Sequence, residues 1–514
     1  MLVDQFLERS AVQSPDALVL IERHREVTYG TLDHMANQCA RLFRQCGATP
    51  GARVVVALDN CAEMAAAYFG AMKAGAVAVP LPAGPRSDRL PAALADCTPH
   101  IAIVDALTAT VFGPRGVLAG VPHVFVLSPS APTAPFASFV ASLAACSADP
   151  VEASRSDADL AAIIYTSGST GEPRGVMLSH SNFVANTQSI VSYLQLTAAD
   201  RVMCVLPFNY VYGLSLLHTH VAVGGSIVIE NRGAFPNVVL ESMAAHEVTG
   251  FAGVPSTFAL MLHRSNIAEA QLPQLRYVTQ AGGGMPPAKI TEWLERGPQA
   301  AFYVMYGATE AAARLTYLPP ADLRRKLGSI GRAIPNVEIR VLSEDGRVAA
   351  EREVGELVAR GANISSGYWN RAAESAERFG PDGYHTGDLG YVDAEGFLFL
   401  VGRQHDMIKV GANRVGAREI EDVLHQHPAV LEAAVVAAPH GLLGEAPVAF
   451  VALREPFAHA ADVLRAFCAS HLTAYKVPVR VETLSELPKL PGSGKLDRAS
   501  LRAQLAENPI ETVP

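Results

Sequence analysis

The segment "IIYTSGSTGEPRGVMLSH", Ile163–His180, combines glycines with hydroxyl side chains directly after a short apolar run. Three glycines permit positive φ and a close backbone approach, and these are Gly168, Gly171 and Gly175. Four hydroxyl side chains can donate to phosphate oxygens, and these are Thr166, Ser167, Ser169 and Thr170. The strand-like run "LAAIIY" precedes this stretch, and the helix-opening run "SHSN" follows it. The segment therefore predicts a phosphate-binding loop in an α/β fold.

This loop differs from the phosphate loop of nucleoside triphosphatases, because the pattern GxxxxGK[ST] is absent. Pro173 stands five residues after Gly168, and the basic residue that follows is Arg174. The alternative interpretation is a mobile Ser/Gly linker. A linker rarely follows a strand and precedes a helix start, so the position of the segment favours phosphate binding.

The chain on either side of this loop alternates between buried strands and helices. The runs "RVVVAL" (53–58) and "AVAVPL" (76–81) predict strands, and the intervening helix is predicted to open with a capping pair, Asn60 and Glu63. The same alternation recurs around "HIAIVDA" (100–106), "RVMCVLPF" (201–208) and "GSIVIE" (225–230). The pattern predicts a layered α/β body with largely parallel sheets.

Two further segments define the predicted organisation. The Pro- and Ala-rich stretch from Ser128 to Ser154 is typical of a surface connection. From about Gly402 onward, short strands such as "LEAAVVAAP" and "PVAFVAL" mix with helical runs such as "AREIEDVLHQH" and "DVLRAFCASHL". This change in the pattern of predicted strands and helices indicates a smaller C-terminal α+β domain.

Composition excludes several classes of protein. The chain has 514 residues, 49% hydrophobic and 18% charged, which is typical of a globular protein with more than one core. A net charge of -9 gives no general attraction for nucleic acid. We expect no signal peptide, because Asp4, Glu8 and Arg9 interrupt the N-terminal apolar residues, and no membrane span, because no window has 18 uninterrupted apolar residues. Seven cysteines without a CxxC pair argue against a zinc site or disulfide framework and favour the cytoplasm.

Four more motifs follow the loop in order. These are "YGATEAA" (306–312), "YHTGDLGYVDAEGF" (384–397), "VGRQHDMIKVGANRVGAREIE" (401–421) and "LPKLPGSGKLDR" (487–498). Together with "YTSGSTGEPRGV" (165–176), they resemble the class I adenylate-forming superfamily, which contains acyl- and aryl-CoA synthetases, luciferases and the adenylation domains of nonribosomal peptide synthetases. The resemblance covers nearly the whole chain. It implies an ATP-binding and acid-binding N-terminal domain, residues 1–402, and a small mobile C-terminal domain, residues 403–514.

The resemblance also implies the reaction and the residues that bind ATP and Mg²⁺. A carboxylic acid and ATP form an acyl-adenylate and pyrophosphate, and the acyl group then passes to a thiol. The loop Thr166–Gly171 and Arg174 correspond to the β- and γ-phosphate site, although Lys is commoner than Arg at the latter position. Thr309 corresponds to the α-phosphate contact, and Glu310 to the ligand of Mg²⁺. Tyr306 corresponds to the adenine contact, Asp388 to the ribose contact, and Arg403 to a second ribose contact or a phosphate contact.

The catalytic cation is predicted to be Lys495, between flexible glycines in "GSGKLDR". An ammonium group there can neutralise charge on the carboxylate and the bridging phosphate oxygen as the adenylate forms. By resemblance, the small domain pivots at His405 after adenylation and opens a path for the thiol. Asp or Lys is more usual at that position. The alternatives are a solvated lysine at 495 and a solvated acid at 310.

The acid-binding pocket is predicted by resemblance to contain aromatic and small residues. These are Asn209, Tyr210, Val211, Tyr212, Gly282, Gly283, Gly284 and Ala308. The three glycines either make room for an elongated or aryl acid or satisfy a tight backbone path. No Asp or Glu occurs from Phe208 to Ser226, where amino-acid-activating members hold an ammonium group. We therefore expect an acid without an α-amino group.

Several functions stay open at this stage. The acceptor is either coenzyme A or the phosphopantetheine of a carrier protein, because both present the same thiol. The alternatives are a stand-alone amino-acid-activating enzyme, a luciferase-like oxidation of the same adenylate, and a non-catalytic binding protein of the same fold. The presence of Thr309, Glu310, Asp388 and Lys495 argues against the non-catalytic alternative.

Overall fold

The computed structural model describes residues 1–84, 89–128, 135–167, 173–411, 413–489 and 496–507. Their strands are, in chain order, β1 Leu18–Glu22, β2 Arg25–Thr28, β3 Arg53–Ala57, β4 Val77–Pro80, β5 Ile101–Asp105, β6 His123–Leu127, β7 Ala137–Ser138, β8 Leu160–Ser167, β9 Pro173–Ser179, β10 Arg201–Cys204, β11 Ser226–Ile229, β12 Gly250–Gly253, β13 Tyr277–Gln280, β14 Ala301–Tyr306, β15 Thr316–Leu318, β16 Ser329–Ala333, β17 Val337–Leu342, β18 Gly355–Gly361, β19 Phe379–Gly380, β20 Gly383–Val392, β21 Leu398–Arg403, β22 Ile408–Val410, β23 Asn413–Val415, β24 Val430–His440, β25 Gly444–Leu453 and β26 Arg480–Leu484.

The α-helices pack on the faces of these strands. In chain order they are α1 Asp4–Gln13, α2 Tyr29–Gln45, α3 Ala62–Lys73, α4 Arg89–Cys97, α5 Ala106–Phe112, α6 Phe139–Ala144, α7 His180–Leu194, α8 Val211–Val223, α9 Pro236–Ala245, α10 Pro255–Arg264, α11 Pro287–Arg296, α12 Pro320–Leu323, α13 Ala372–Arg378, α14 Ala417–Leu424, α15 Ala460–His471 and α16 Arg498–Glu507. Short 3₁₀ turns occur at Ile267–Glu269, Thr309–Ala311, Gln404–Asp406 and Ala474–Lys476.

The first sheet has β8 and β9, the strands that flank the predicted phosphate loop in the sequence, at its edge. Its strand order is β7-β6-β5-β3-β4-β8-β9 among the described residues, and every neighbouring pair is parallel except β8 and β9. β8 and β9 form a hairpin, and α7 begins directly after β9. Ser179 caps α7 in a capping box with Asn182, which confirms the predicted helix start.

The second sheet is the largest and changes character at β14. Strands β1, β11, β10, β12, β13 and β14 lie in that order and pair in parallel. From β14 onward, the strands β15, β16, β21, β20, β18 and β17 pair antiparallel. The expectation of largely parallel sheets is therefore wrong for this half of the sheet. Its pairs β14–β15, β17–β18 and β20–β21 are consecutive in the chain and antiparallel, so no crossover helix joins them within the described range 173–411.

The C-terminal part of the chain forms a separate mixed sheet. β23, β22, β25 and β24 pair antiparallel, and β26 joins β25 in parallel. Helices α14 and α15 cover one face through a core that includes Ile420 and Leu464. Helix α16 covers the other face through Leu501 and Leu505. The last strand of the large sheet ends at Arg403, before this sheet begins, so the predicted α+β domain is present.

The predicted βαβ unit is confirmed, because β3 and β4 pair in parallel around α3. The predicted cap is wrong. The Sγ atom of Cys61 caps α3 by accepting from the amide of Met64 at 3.4 Å. Asn60 instead fixes the chain near α8: its side chain accepts from the amide of Phe208 at 2.7 Å and donates to the Leu206 carbonyl at 2.8 Å. Asn60 therefore bonds to a distant segment of the chain and does not cap α3.

The stretch Ser128–Ser154 is more ordered than a surface connection. Its residues 129–134 lie outside the described part of the chain. The remainder contains β7 and α6, and Ser138 caps this helix by accepting from the amide of Ala141. Phe139 is fully buried in the main core, which explains why the segment folds back onto the first sheet.

Two expected absences concern membranes and disulfides. Across the described ranges, no helix has both the length and the apolar character that a bilayer crossing requires. All seven cysteines lie in described residues, and each is a free thiol.

Three histidines are buried in the core around α8 and α7. The Nε2 atom of His218 lies 2.9 Å from the Tyr68 hydroxyl, and Nε2 of His220 lies 3.0 Å from the Tyr277 hydroxyl. The Nδ1 atom of His180 accepts from the amide of Val3. Burial lowers the pKa of His218 to about 3 and the pKa values of His180 and His220 to about 4.

These histidines predict loss of stability in mild acid. Below pH 6.5 the unfolded chain binds protons that the folded chain does not, so their contribution is present above pH 6.5 and is lost as pH falls. Below pH 6.5, each histidine lowers the free energy of unfolding by about 1.4 kcal/mol per pH unit. We expect the thermal midpoint to fall steeply from pH 7.5 to 5.5, and His218→Gln to reduce this slope. His24→Gln, at an exposed position, should leave the slope unchanged. Equal slopes in all three proteins would contradict the prediction.

Candidate active site

The loop from Tyr306 to Arg314 forms the centre of the site. It leaves the end of β14, makes the 3₁₀ turn Thr309–Ala311 and enters β15. Ala312 and Ala313 follow with φ of 51° and 126°, a left-handed backbone that is unfavourable for alanine. Strain of this kind persists only where the surroundings fix the chain.

Two buried asparagines fix this loop. The side-chain amide of Asn186, on α7, donates to the carbonyl of Ala311 at 3.3 Å and to that of Arg314 at 2.9 Å. The amide of Asn363, just after β18, donates to the same two carbonyls at 3.1 and 2.9 Å. Both side chains are 1% exposed. This double asparagine clamp joins α7 and the large sheet to the strained loop.

Glu310 is held by a tyrosine. The hydroxyl of Tyr368 donates to its Oε1 atom at 2.8 Å, and its backbone carbonyl accepts from the amide of Ser365. Burial and the Glu310 charge raise the pKa of the Tyr368 hydroxyl, which therefore stays a neutral donor at physiological pH. Thr309, beside it, is 8% exposed. The remaining oxygen of Glu310 is available for other contacts.

The predicted ribose and adenine residues lie together. The hydroxyl of Tyr306 donates to Oδ2 of Asp388 at 2.6 Å, and Nε of Arg403 donates to Oδ1 at 3.2 Å. Asp388 lies on β20, Arg403 lies on the neighbouring strand β21, and Tyr306 is the last residue of β14. Burial, together with the Asp388 charge, raises the pKa of Tyr306 well above its ordinary value. The carboxylate of Asp388 is thus oriented before any ligand binds.

Arg174 has a carboxylate partner. Its Nε atom lies 2.6 Å from Oε1 of Glu374, on α13, and its guanidinium carbon lies 5.9 Å from the ring centre of Tyr368. A phosphate group would therefore share Arg174 with Glu374. The sequence pattern did not reveal Glu374, because it is far from the loop in the chain.

Two of the predicted pocket segments meet at Gly282 and Tyr210, and we call the site predicted beside them the acid pocket. A Cβ atom at Gly282 would lie 2.9 Å from the Tyr210 hydroxyl oxygen, and the φ of Gly282 is +83°. The neighbouring Val211 and Tyr212 are 4% and 1% exposed. Glycine at 282 is therefore required by both backbone conformation and close approach, which supports the tight-backbone interpretation at this one position.

The C-terminal domain docks beside this pocket. A Cβ atom at Gly284 would lie 3.2 Å from the guanidinium carbon of Arg418, which stands in the first turn of α14. At the same interface, Nη1 of Arg454 lies 2.7 Å from Nδ1 of His263. Burial lowers the pKa of His263 to about 4, and the charges of Lys289 and Arg454 lower it further. His263 is therefore neutral in this contact near pH 7.

Some predicted site residues lie outside the described residues. They are Gly168, Ser169, Thr170, Gly171 and Lys495, together with the side chains of Ser167 and His405. Thr166 lies at the end of β8, half-buried, where that strand enters the loop. Asn209 and Ala308 are half-buried at the borders of the acid pocket.

Sequence reasoning missed the residues that position the site. Asn186, Asn363 and Tyr368 act through contacts between distant segments, and no spacing rule reveals such contacts. Arg314 had a visible signal, because it is a cation two residues after "YGATEAA" in an otherwise apolar run.

Family comparison places both parts of the chain. A family model described as AMP-binding enzyme matches residues 7–369. A second model, AMP-binding enzyme C-terminal domain, matches residues 419–495. The first match includes the strained loop, and the second includes strands β24, β25 and β26 of the C-terminal sheet.

Individual relatives are similar over nearly their full length. The chain is 29% identical over 511 residues to an indoleacetate–CoA ligase of Aromatoleum aromaticum, covering 98% of each chain. It is 33% identical over 498 residues to a sulfoacetate–CoA ligase of Cupriavidus necator, covering 96% of this chain and 95% of the relative. Among solved structures, an anthranilate CoA ligase in complex with anthranoyl-AMP matches with a TM-score of 0.91 and 27% identity, covering 99% and 98%.

Proposed function

This chain belongs to the AMP-binding enzyme family, and from that membership we propose how its residues divide the reaction. The protein is an AMP-forming acid–thiol ligase. It activates a carboxylic acid with ATP to an acyl-adenylate, releases pyrophosphate and transfers the acyl group to a thiol, for which coenzyme A is the proposed source. The roles of individual residues, the metal and the class of acid form the proposal.

The observation that carries the proposed roles is the single short loop Tyr306–Glu310. One end of it touches Asp388 through the Tyr306 hydroxyl, and the other end presents Thr309 and Glu310. A nucleotide whose ribose bonds Asp388 would extend its α-phosphate along this loop. The Thr309 hydroxyl would then donate to an α-phosphate oxygen where charge accumulates during attack by the carboxylate.

The donor set fits Mg²⁺ bound chiefly through phosphates. Among the described residues, no cluster of three or more His, Cys, Asp or Glu side chains could by itself hold a metal ion. Glu310 offers one carboxylate oxygen beyond its bond with Tyr368, and Mg²⁺ typically takes one or two carboxylates with phosphate oxygens and water. When bound, the ion would neutralise phosphate charge, and Tyr368 would keep Glu310 oriented toward it.

We propose that the two half-reactions use different positions of the C-terminal domain. Lys495 would approach the reacting carboxylate and phosphate in the first, as the sequence motif indicates. The large sheet ends at Arg403 and the next sheet begins at Ile408, which supports a boundary at 402/403 and a pivot at His405. The contacts of Arg418 and Arg454 would then break and form as the domain moves.

Coenzyme A is the proposed acceptor in place of a carrier protein. The support is that the indoleacetate and sulfoacetate relatives, which this chain matches over nearly their full lengths, are both CoA ligases. We also propose a cytoplasmic location, which the seven free thiols support.

The proposed acid lacks an α-amino group. The start of α8 presents Val211, 4% exposed, where a carboxylate would be needed to pair an ammonium ion, and Phe208–Ser226 contains no acidic residue. An unpaired buried ammonium would cost several kcal/mol, so we expect α-amino acids to be activated about 10²-fold less well than their deaminated partners.

Acid-dependent ATP–pyrophosphate exchange tests this function and the class of acid. Matched pairs are 3-phenylpropanoate with phenylalanine, and octanoate with 2-aminooctanoate, followed by thioester detection with coenzyme A. Val211→Asp is the matched variant, and it should reduce the difference in exchange rate between each deaminated acid and its α-amino partner. A higher rate with any α-amino acid than with its partner would contradict the proposed acid class, and exchange without any thioester would contradict the acceptor.

A further inference from the structure

Arg314 is a buried cation at the end of the strained loop. The residue is 3% exposed, and its backbone carbonyl is held by the double asparagine clamp, so its position is fixed. Arginine is rarely buried without a carboxylate, because its guanidinium stays charged in proteins and loses its hydration on burial. The partners of this side chain therefore indicate its role.

The side-chain partners of Arg314 are neutral. Its guanidinium carbon lies 4.0 Å from the ring centre of Tyr212, its Nε atom lies 3.3 Å from the sulfur of Met305, and Nη1 donates to the Ala313 carbonyl at 3.3 Å. The charge is also felt at Tyr193: burial raises the pKa of that hydroxyl, and Arg314 opposes the rise. Two tyrosines, Tyr212 and Tyr193, therefore lie near the guanidinium.

No carboxylate of the described residues lies within salt-bridge distance of Arg314, whereas the half-buried Arg155 and Arg174 each have one. A guanidinium has five N–H donors, and a thioether sulfur is a weak acceptor. The cost of burying such a cation is recovered when an anion completes its hydrogen bonds.

Arg314 contacts the segment that is predicted to form the acid pocket. The ring beneath its guanidinium belongs to Tyr212, which neighbours Val211 and Tyr210 at the start of α8. Its backbone also adjoins the loop glycine, because a Cβ at Gly307 would lie 2.8 Å from the Cα of Arg314. The cation is therefore placed between the predicted pocket segment and the loop that carries Thr309 and Glu310.

We propose that Arg314 determines specificity by binding a second anionic group, carboxylate or sulfonate, at the distal end of the acid that the enzyme activates. This inference rests on the proposed function, because it assigns the class of acid to the same site. A planar guanidinium suits such a group, since it donates two parallel hydrogen bonds to two of its oxygens. The tyrosine rings would hold the linking carbon atoms.

The competing interpretation is that Arg314 only stabilises the loop through its stacking on Tyr212. That role needs a flat cation or any long side chain, but not an anion. The two interpretations differ in one measurable respect: only the proposal makes the identity of Arg314 change the ratio between acids of equal shape and different charge.

The test uses pyrophosphate exchange with pairs matched in shape. These are 3-sulfopropanoate with 4,4-dimethylpentanoate, adipate with 6-methylheptanoate, and 4-carboxyphenylacetate with 4-isopropylphenylacetate. In the wild-type enzyme we expect the dianion of at least one pair to have the higher kcat/KM. Arg314→Met, which keeps the length and removes the charge, should lower that ratio by at least about tenfold. Arg314→Lys, which keeps the charge, should retain much of the preference.

Thermal unfolding of all three proteins shows whether they are folded. The inference is overturned if the wild-type enzyme prefers the apolar partner in every pair that it activates, or if Arg314→Met leaves the ratio unchanged. In either case exchange itself would persist, so the proposed function would stand. If no acid supports exchange, the proposed function fails, and calorimetric binding of the same pairs decides the inference: dianion binding lost in Arg314→Met supports it, and equal binding overturns it.

Discussion

Lys495→Ala is expected to reduce acid-dependent pyrophosphate exchange by about 10²- to 10³-fold, a typical loss for one electrostatic stabiliser of a transition state. Only adenylation brings two anions together, because the carboxylate attacks the α-phosphorus and displaces pyrophosphate. In the transfer from supplied acyl-adenylate to coenzyme A, the thiol loses its proton and attacks an uncharged carbonyl group, and AMP leaves. The second half-reaction should therefore largely survive, measured as thioester formed from synthetic acyl-adenylate.

His405→Pro is the complementary variant. Proline fixes φ and removes a backbone donor at the proposed pivot, so it should impair thioester formation more than adenylation. Opposite patterns in the two variants support domain alternation. Near-wild-type exchange in Lys495→Ala would remove that residue from its role, and equal loss of both steps in His405→Pro would argue against the pivot.

Asp388→Ala is expected to raise the KM for ATP by about 10²-fold or more. Its carboxylate is already oriented by Tyr306 and Arg403, and each oxygen retains capacity for a ribose hydroxyl. Two hydrogen bonds to a charged acceptor contribute about 1.5–3 kcal/mol each, which gives the expected size. Steady-state exchange kinetics at saturating acid would measure it.

The matched controls separate binding from positioning. Asp388→Asn keeps the shape and one acceptor oxygen, so its KM should lie between those of the wild type and Asp388→Ala. Tyr306→Phe keeps the ring and removes only the 2.6 Å hydrogen bond, and it should raise the KM less than tenfold. An unchanged KM in Asp388→Ala would show that ribose is bound elsewhere.

The sequence predicted the fold class and the order of its parts because the relevant signals are local. The strand before the phosphate loop, the capping box at Ser179 and the βαβ unit around α3 each depend on residues within one short segment. The antiparallel half of the large sheet was not predicted, although a signal existed. The turn "SEDG" (343–346) reverses the chain directly after β17, where Leu342 bridges Val348, and no helix lies between β17 and β18, a segment that the structure describes in full.

The remaining failures concern contacts between distant segments. Asn60 fits a capping pattern, but the carbonyl of Leu206 and the amide of Phe208 offer stronger tertiary partners. The pairing of Arg174 with Glu374 likewise depends on how α13 packs against the first sheet. Charge and spacing along the chain do not determine such pairs, because they arise only when the layers assemble.

The double asparagine clamp has a consequence for how this enzyme tolerates sequence drift. Each carbonyl of the strained loop accepts from two amides, so replacing either asparagine leaves both carbonyls with one remaining donor. The arrangement is redundant, because each asparagine alone bonds both carbonyls that flank the strained residues Ala312 and Ala313. We therefore expect the two positions to tolerate substitution one at a time, with the loop retained, whereas simultaneous substitution of both asparagines should release it.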